Sequence, residues 1–222
     1  MYDFLILKLH GVLQAWGKHT YETYRPSELF PTRSGVTGFL SAALGIPRKD
    51  EKGILTLNRS YVYAVRLDSH PQEKLVRSSI MNDFHTVLRV RTVEKKVSET
   101  IISRREYLED SRFTLAIRLS DSPEFSLDEI ESALKRPYFT LFLGRKSCPI
   151  TRPPFEKRIH ADGFFSALKS TYGFEKSYSG IVYSEEPANG EKDEKHMEII
   201  VRHVPMGNRR FATRSVYIYK ME

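Results

Sequence analysis

Gly144-Arg145-Lys146-Ser147-Cys148 gathers two adjacent cations, a hydroxyl and a glycine in one short run. With open backbone N–H groups, that set suits phosphate oxygens held by charge-assisted hydrogen bonds. The same residues would also make a basic turn on a solvated edge. The glycine spacing is wrong for a P-loop, and no helical pattern follows. Arg33-Ser34-Gly35 comes just after Thr32 at the start of a helical pattern. Free N–H groups and the helix dipole favour an anion there, and ordinary capping would use the same residues. Gln14-Ala15-Trp16-Gly17 carries the one tryptophan of the chain. Its indole can stack on a nucleobase, worth about 1–3 kcal/mol, or plug a gap between loop and core.

A second group of candidates lies in one basic stretch. Phe84 to Arg91 alternates apolar and polar residues, so a β-ribbon there would carry His85, Arg89 and Arg91 near one face or edge. Arg104, Arg105 and Tyr107 return on the opposite arm. Such a ribbon can reach over an RNA strand or contact a neighbouring subunit, and its cations also discourage edge-to-edge aggregation. Catalysis by a metal-independent ribonuclease needs a base, an acid and a cation for the phosphorane. His85, Tyr107 and Lys146 have the right types, but no sequence spacing brings them together. Asp83 and His85 lack a third partner at metal-ligand spacing. A Ser/His/Asp signature, a dinucleotide fingerprint and a paired-carboxylate motif are all missing. These residues suggest one nucleic-acid surface and assign no catalytic residue, metal or cofactor.

The whole chain fits that chemistry. It has 222 residues, 35 Lys+Arg against 28 Asp+Glu, a net charge of +7 and a pI of about 9.4. The positive excess is local. Residues 74–106 hold Lys74, Arg77, Arg89, Arg91, Lys95, Lys96, Arg104 and Arg105 against four acids. Residues 144–158 hold Arg145, Lys146, Arg152, Lys157 and Arg158 against Glu156 alone. That balance suits an anionic partner. Cys148 is the only cysteine, so an intrachain disulfide and a cysteine zinc site are both excluded. The N-terminus is broken by charge too early for a signal peptide, and no apolar run approaches membrane-spanning length. A cytoplasmic protein without a membrane partner is expected.

The elements that must position these groups can be read in order. Residues 3–10 alternate as a strand with Leu5, Leu7 and Leu9 on one face. Val36, Phe39, Leu40, Ala43 and Leu44 form a helical stripe, begun by Thr32 or Ser34 and stopped by Gly45 and Pro47. Strands are expected at Tyr61–Leu67, Phe113–Leu119 and Tyr138–Leu143. A capping box at Ser126 and Glu129 starts a helix that ends at Arg136. The order is β-α-β-β-α-β, so the predicted class is α+β, a ferredoxin-like (RRM-like) domain. Residues 74–107 are too long for its hairpin loop and read as an extended β-rich insertion. Beyond Pro154 come a short helix near Phe164–Ser170 and strands near Gly180–Ser184, Met197–Val204 and Val216–Tyr219. Glu185 to Lys195 reads as an exposed hairpin loop. The division is residues 1–150, then a smaller β-rich part at 151–222 packed on the first.

Several motifs, in register, carry a resemblance. They are Leu13-Gln14-Ala15-Trp16-Gly17, Phe30-Pro31-Thr32-Arg33-Ser34-Gly35, Leu44-Gly45-Ile46-Pro47-Arg48, Phe84-His85-Thr86-Val87-Leu88, Arg105-Glu106-Tyr107-Leu108 and Leu143-Gly144-Arg145-Lys146-Ser147-Cys148-Pro149. Tyr183-Ser184-Glu185-Glu186 and Phe211-Ala212-Thr213-Arg214 extend them nearly to the C-terminus. Together they resemble the CasD-type subunits of the type I-E CRISPR Cascade complex, in the repeat-associated mysterious protein superfamily. The resemblance implies a β-hairpin thumb, here within residues 76–105, inserted in the ferredoxin-like domain. It implies a non-catalytic subunit of an antiviral defence complex that holds the 5′ handle of the CRISPR guide RNA. The handle-binding loops would be those around Gln14–Gly17, Arg33–Gly35 and Gly144–Cys148. The implied partners are the guide RNA, the Cascade backbone subunit and large subunit, and, indirectly, target DNA. A branch of the wider superfamily cuts precursor CRISPR RNA, so a metal-independent endoribonuclease is the alternative.

Overall fold

The computed structural model describes residues 1–20, 23–68, 79–91, 97–173, 180–187, 196–205 and 210–221. The alternating N-terminal run forms strand β1 (Tyr2–His10). Leu5, Leu7 and Leu9 enter one core, and Phe4 and Ile6 enter a second on the other side, so both faces of the strand are covered. Helix α1 (Arg33–Leu44) begins where Thr32 Oγ1 accepts the Gly35 N–H at 3.2 Å and ends at Gly45 in the left-handed region. Val36, Phe39, Leu40 and Ala43 seal the first core. Helix α2 (Glu51–Ser60), capped by Asp50, has no counterpart in the sequence reading.

Strand β2 (Tyr61–Asp68) follows, then a long hairpin of β3 (Ser79–Arg91) and β4 (Val97–Glu109), then β5 (Arg112–Leu119). Helix α3 (Leu127–Lys135) carries the expected capping box between Ser126 and Glu129. The remaining elements are β6 (Phe155–Ala161), α4 (Phe164–Lys169), β7 (Gly180–Ser184), β8 (His196–Pro205) and β9 (Phe211–Met221). Seven strands make one sheet in the order β6-β1-β5-β2-β7-β9-β8, each neighbouring pair antiparallel. Ile130 and Leu134 of α3 join α1 on the first core, and Phe164, Ala167 and Leu168 of α4 cover the second.

Two expectations are corrected. Tyr138–Leu143 is not a strand, and within it only Phe142 forms a bridge, to Pro149. The Tyr138 and Phe139 N–H groups instead donate to the Ala43 and Ala42 carbonyls, each at 3.0 Å, closing the last turn of α1. The strand beside β1 is β6, whose register runs from Tyr2–Ala161 to Leu7–Phe155. Strand β6 is an edge of the same seven-stranded sheet. The second correction concerns Glu185, which is not in an exposed loop: it is 10% exposed and ion-paired. Residues 188–195 of that expected loop lie outside the described residues.

The β3–β4 hairpin leaves the main sheet, paired from Ser79–Glu109 to Arg91–Val97. Its base is stitched to two short segments. Leu13–Gln14 pairs antiparallel with Glu109 and Leu108, and Tyr24–Arg25 pairs parallel with Arg104 and Arg105. Lys74, Arg77, Lys95 and Lys96 lie outside the described residues. Among the described residues, no helix is long and apolar enough to cross a membrane.

Candidate nucleic-acid interface

Two glycines bring the three candidate loops together. Gly144 has φ +86°, and a Cβ there would lie 1.7 Å from the Ala15 carbonyl oxygen. Only glycine allows that approach. The Ala15 N–H donates to Leu143 O at 3.1 Å, which locks loop 13–17 to loop 144–148. A Cβ on Gly35 would lie 2.7 Å from Trp16 Cε3, so the first turn of α1 rests on the indole. The three segments are thus neighbours, joined to the hairpin base through Gln14 opposite Leu108.

Much of what the sequence offers for binding is used internally. Trp16 is 1% exposed, and its indole N–H donates to Gln14 Oε1 at 3.2 Å. It fills the gap between loop and core, and stacking on a base is not open to it. Gln14 is fully buried and donates to Ser111 O. Arg33 is 7% exposed and ion-pairs with Glu185. Its Nε donates to Asn58 Oδ1 at 2.8 Å and Nη2 to Tyr61 O at 2.7 Å, while the guanidinium lies 4.2 Å over the Tyr61 ring. These contacts engage the Arg33 guanidinium within the protein. Cys148 is buried, and burial pushes its thiol up from the ordinary value, away from thiolate chemistry. Tyr107 is buried beneath Arg145.

What reaches the surface is a cationic face at the hairpin base. The Arg145 guanidinium stands 4.6 Å over the Tyr107 ring, with Nη1 on Glu106 O at 3.0 Å and Nη2 on Arg25 O at 2.9 Å. Pairing puts Arg25 beside Arg105, and strand alternation puts Arg105 on the same face as Tyr107. Arg25, Arg105 and Arg145 therefore share one face, with exposed Lys146 next along the chain. Among the described residues, no carboxylate lies within ion-pair distance of any of the four. Asp83 lies opposite Arg105, but its carboxylate is beside His85, at 3.7 Å from Nδ1. Exposed Gly17 and Ser147, half-buried Ser34 and Gly35, and the Gly144 backbone line the adjoining loops.

Arg25 was not among the sequence candidates. Its only local signal is a lone arginine before Pro26, and its neighbour Arg105 is eighty residues away. Conversely, Arg104 and Arg105 are adjacent in sequence but face opposite ways. Arg104 is exposed on the side of Phe84, with Tyr24 alongside hydrogen-bonded to Glu106. That bond raises the Tyr24 phenol above its ordinary value. Arg89 is exposed in β3 at φ +54°, a strained value for a non-glycine residue. The Arg91 side chain lies outside the described residues.

The ribonuclease trio is not assembled. His85 pairs with Ser103 and Tyr107 with Met81, so four strand residues, about 13 Å, separate them. Tyr107 is also buried under Arg145. Among the described residues, no group of three or more His, Cys, Asp or Glu could hold a metal ion.

Comparison with known proteins identifies the family and the fold. A family model described as CRISPR-associated protein (Cas_Cas5) matches residues 4–217. The chain is 39% identical over 225 residues to the CRISPR system Cascade subunit CasD of Escherichia coli strain K12, covering 99% of this chain and 97% of that one. A chain in a solved CRISPR RNA-guided surveillance complex overlays with a TM-score of 0.74 at 24% identity, covering 99% of this chain and 90% of its own. A second solved structure, described as a Cas protein, gives 0.64 at 23% identity over 98% and 94%. At those identities the solved structures speak for the fold, a mixed α/β architecture dominated by antiparallel strands. Family match and full-length relative together establish that the chain is a CasD-type member of the CRISPR-associated Cas5 family.

Proposed function

We propose that this protein is a non-catalytic, RNA-binding subunit of a type I-E CRISPR surveillance complex and that it holds the 5′ handle of the guide RNA. The observation that carries the reading is the face of Arg25, Arg105 and Arg145, with exposed Lys146 next in sequence, four cations without a carboxylate partner among the described residues. Single-stranded RNA offers phosphates at the spacing of such a cluster, and backbone amides of the adjoining loops add directional donors. In this reading β6-β1-β5-β2 with α1 and α3 is a ferredoxin-like unit, and residues 151–222 pack on it through the shared sheet. The β3–β4 hairpin is the thumb. Its exposed Phe84, Leu88 and Ile102 suit packing against the backbone subunit, while another surface meets the large subunit.

The test uses purified protein with end-labelled repeat RNA in EDTA, run on native and denaturing gels side by side. A shifted, intact RNA whose affinity falls steeply with salt is the expected result. A discrete product ending in a 2′,3′-cyclic phosphate would replace this reading with a processing endoribonuclease. A flat salt response would remove the phosphate grip.

A further inference from the structure

Tyr183-Ser184-Glu185-Glu186 and Phe211-Ala212-Thr213-Arg214 lie far in sequence from every loop of the proposed interface. The structure nevertheless connects them to it by an unbroken series of buried contacts. Glu185, at the end of β7, accepts hydrogen bonds from Arg33 Nη1, from Arg214 Nη1 at 2.6 Å and from the Tyr63 N–H at 3.0 Å. Arg214 Nη2 donates to the Tyr63 hydroxyl at 2.8 Å, and that hydroxyl donates to Pro31 O at 2.9 Å. Phe30 stacks on Tyr183 with centroids 4.4 Å apart. The Phe30–Arg33 part of the turn is therefore held in part by β2, β9 and the end of β7.

That turn rests directly on the RNA-facing loops. Arg33 is the first residue of α1, Gly35 lies against the Trp16 indole, and the Ala15 carbonyl lies against Gly144. Both glycine contacts are too close for a Cβ, so a shift of the α1 first turn passes to loop 13–17 and then to Arg145 and Lys146. We infer that Glu185 and Arg214 are positioning residues for the RNA-gripping loops, acting through Arg33, Gly35 and Trp16 without touching RNA. This inference rests on the RNA-binding reading for its functional consequence, while its structural content stands apart from it.

The chain itself supplies the reporter, since Trp16 is its one tryptophan. Glu185→Gln keeps the side-chain shape and removes the charge that draws the two arginines together. Three readouts are compared with wild type at a temperature where both are folded by far-UV circular dichroism. They are Trp16 emission, acrylamide quenching, and the affinity and salt slope for a single-stranded repeat RNA. The expected result is red-shifted, more quenchable emission and an affinity about fivefold weaker. The salt slope should be unchanged, because every surface cation is still present.

A purely local stabilising role would lower the melting temperature and leave emission and affinity alone, which would overturn the inference. Glu185→Asp, which restores the charge on a shorter arm, should recover part of the emission. If Glu185→Gln does not fold, Arg214→Lys keeps the charge and loses the fork. It must shift Trp16 in the same direction by less, and unchanged emission there overturns the inference equally. Failure of the wild type to bind RNA would remove the functional reading alone, since Trp16 emission still decides whether the C-terminal strands set the loops.

Discussion

Two arginine clusters in this protein use the same side chain to opposite ends. Arg33 and Arg214 converge on Glu185, with all three side chains between 8% and 13% exposed. Arg25, Arg105 and Arg145 share an outer face whose support comes from backbone carbonyls and the Tyr107 ring rather than from an acid. A carboxylate neutralises the first cluster and makes it part of the framework. Carbonyls and a π face orient the second without cancelling its charge, so its field is left for an outside anion. A cation in a motif therefore says little until its partner is known.

The contrast is broken most severely by Arg33→Ala. That change leaves Glu185 with half its charge compensation and strips donors from Asn58 and Tyr61, at a cost of about 3–5 kcal/mol. Equilibrium urea unfolding should show the lowered midpoint, and a midpoint like wild type would class Arg33 with the surface cations. Arg145→Ala belongs to the other cluster. It should weaken RNA affinity by about tenfold and reduce the salt slope by about one, with about 1 kcal/mol of stability lost through its two carbonyl bonds and ring contact. Lys146→Ala sharpens the difference further. Affinity should fall by about threefold while stability stays within about 0.5 kcal/mol. A large fall in melting temperature for Lys146→Ala would contradict the surface assignment.

Lys8 gives the smallest and most specific effect. It is buried 3.7 Å from Asp68, donates to Thr114 Oγ1 at 2.6 Å, and burial lowers its pKa to about 8 despite that acid. Above pH 8 the folded state releases this proton, while the unfolded chain keeps it to near 10.5. The unfolded state then binds more protons, so stability attributable to Lys8 rises with pH across that window and its burial cost is full below pH 8. Urea midpoints of wild type and Lys8→Met between pH 7 and 10 should therefore diverge above pH 8 in favour of wild type. Parallel profiles would show that Asp68 holds the ammonium charged throughout.

Local rules made much of the frame legible. The alternation of β1, the Thr32 and Gly45 caps of α1 and the Ser126 box of α3 are all governed by neighbours within four residues, and each is present. The Tyr138–Leu143 reading failed because an apolar alternating run can serve as a helix-capping segment when its N–H groups meet open carbonyls. Strand β6 was missed because a register shift opposite Ile6 and Leu7 puts Phe155 against the first core and Ile159 against the second, which breaks the alternation. The three candidate loops are neighbours in the fold, and the burial of particular residues within them was not legible. Trp16, Gln14, Arg33 and Cys148 have types that suit RNA, and each is buried. Arg25 has no local signal and gains its place from a parallel pairing with Arg105.

By itself the sequence determined the order of most elements, the confinement of positive charge to two segments and the family, since these depend on residue type, short spacing and motif order. Only the tertiary structure decided which cations face outward and which are neutralised, because that depends on strand register, two glycine close approaches and the position of Glu185 more than 150 residues from Arg33. Burial and partner, both long-range properties, convert an identical guanidinium into a structural brace in one place and an outward-facing charge in the other.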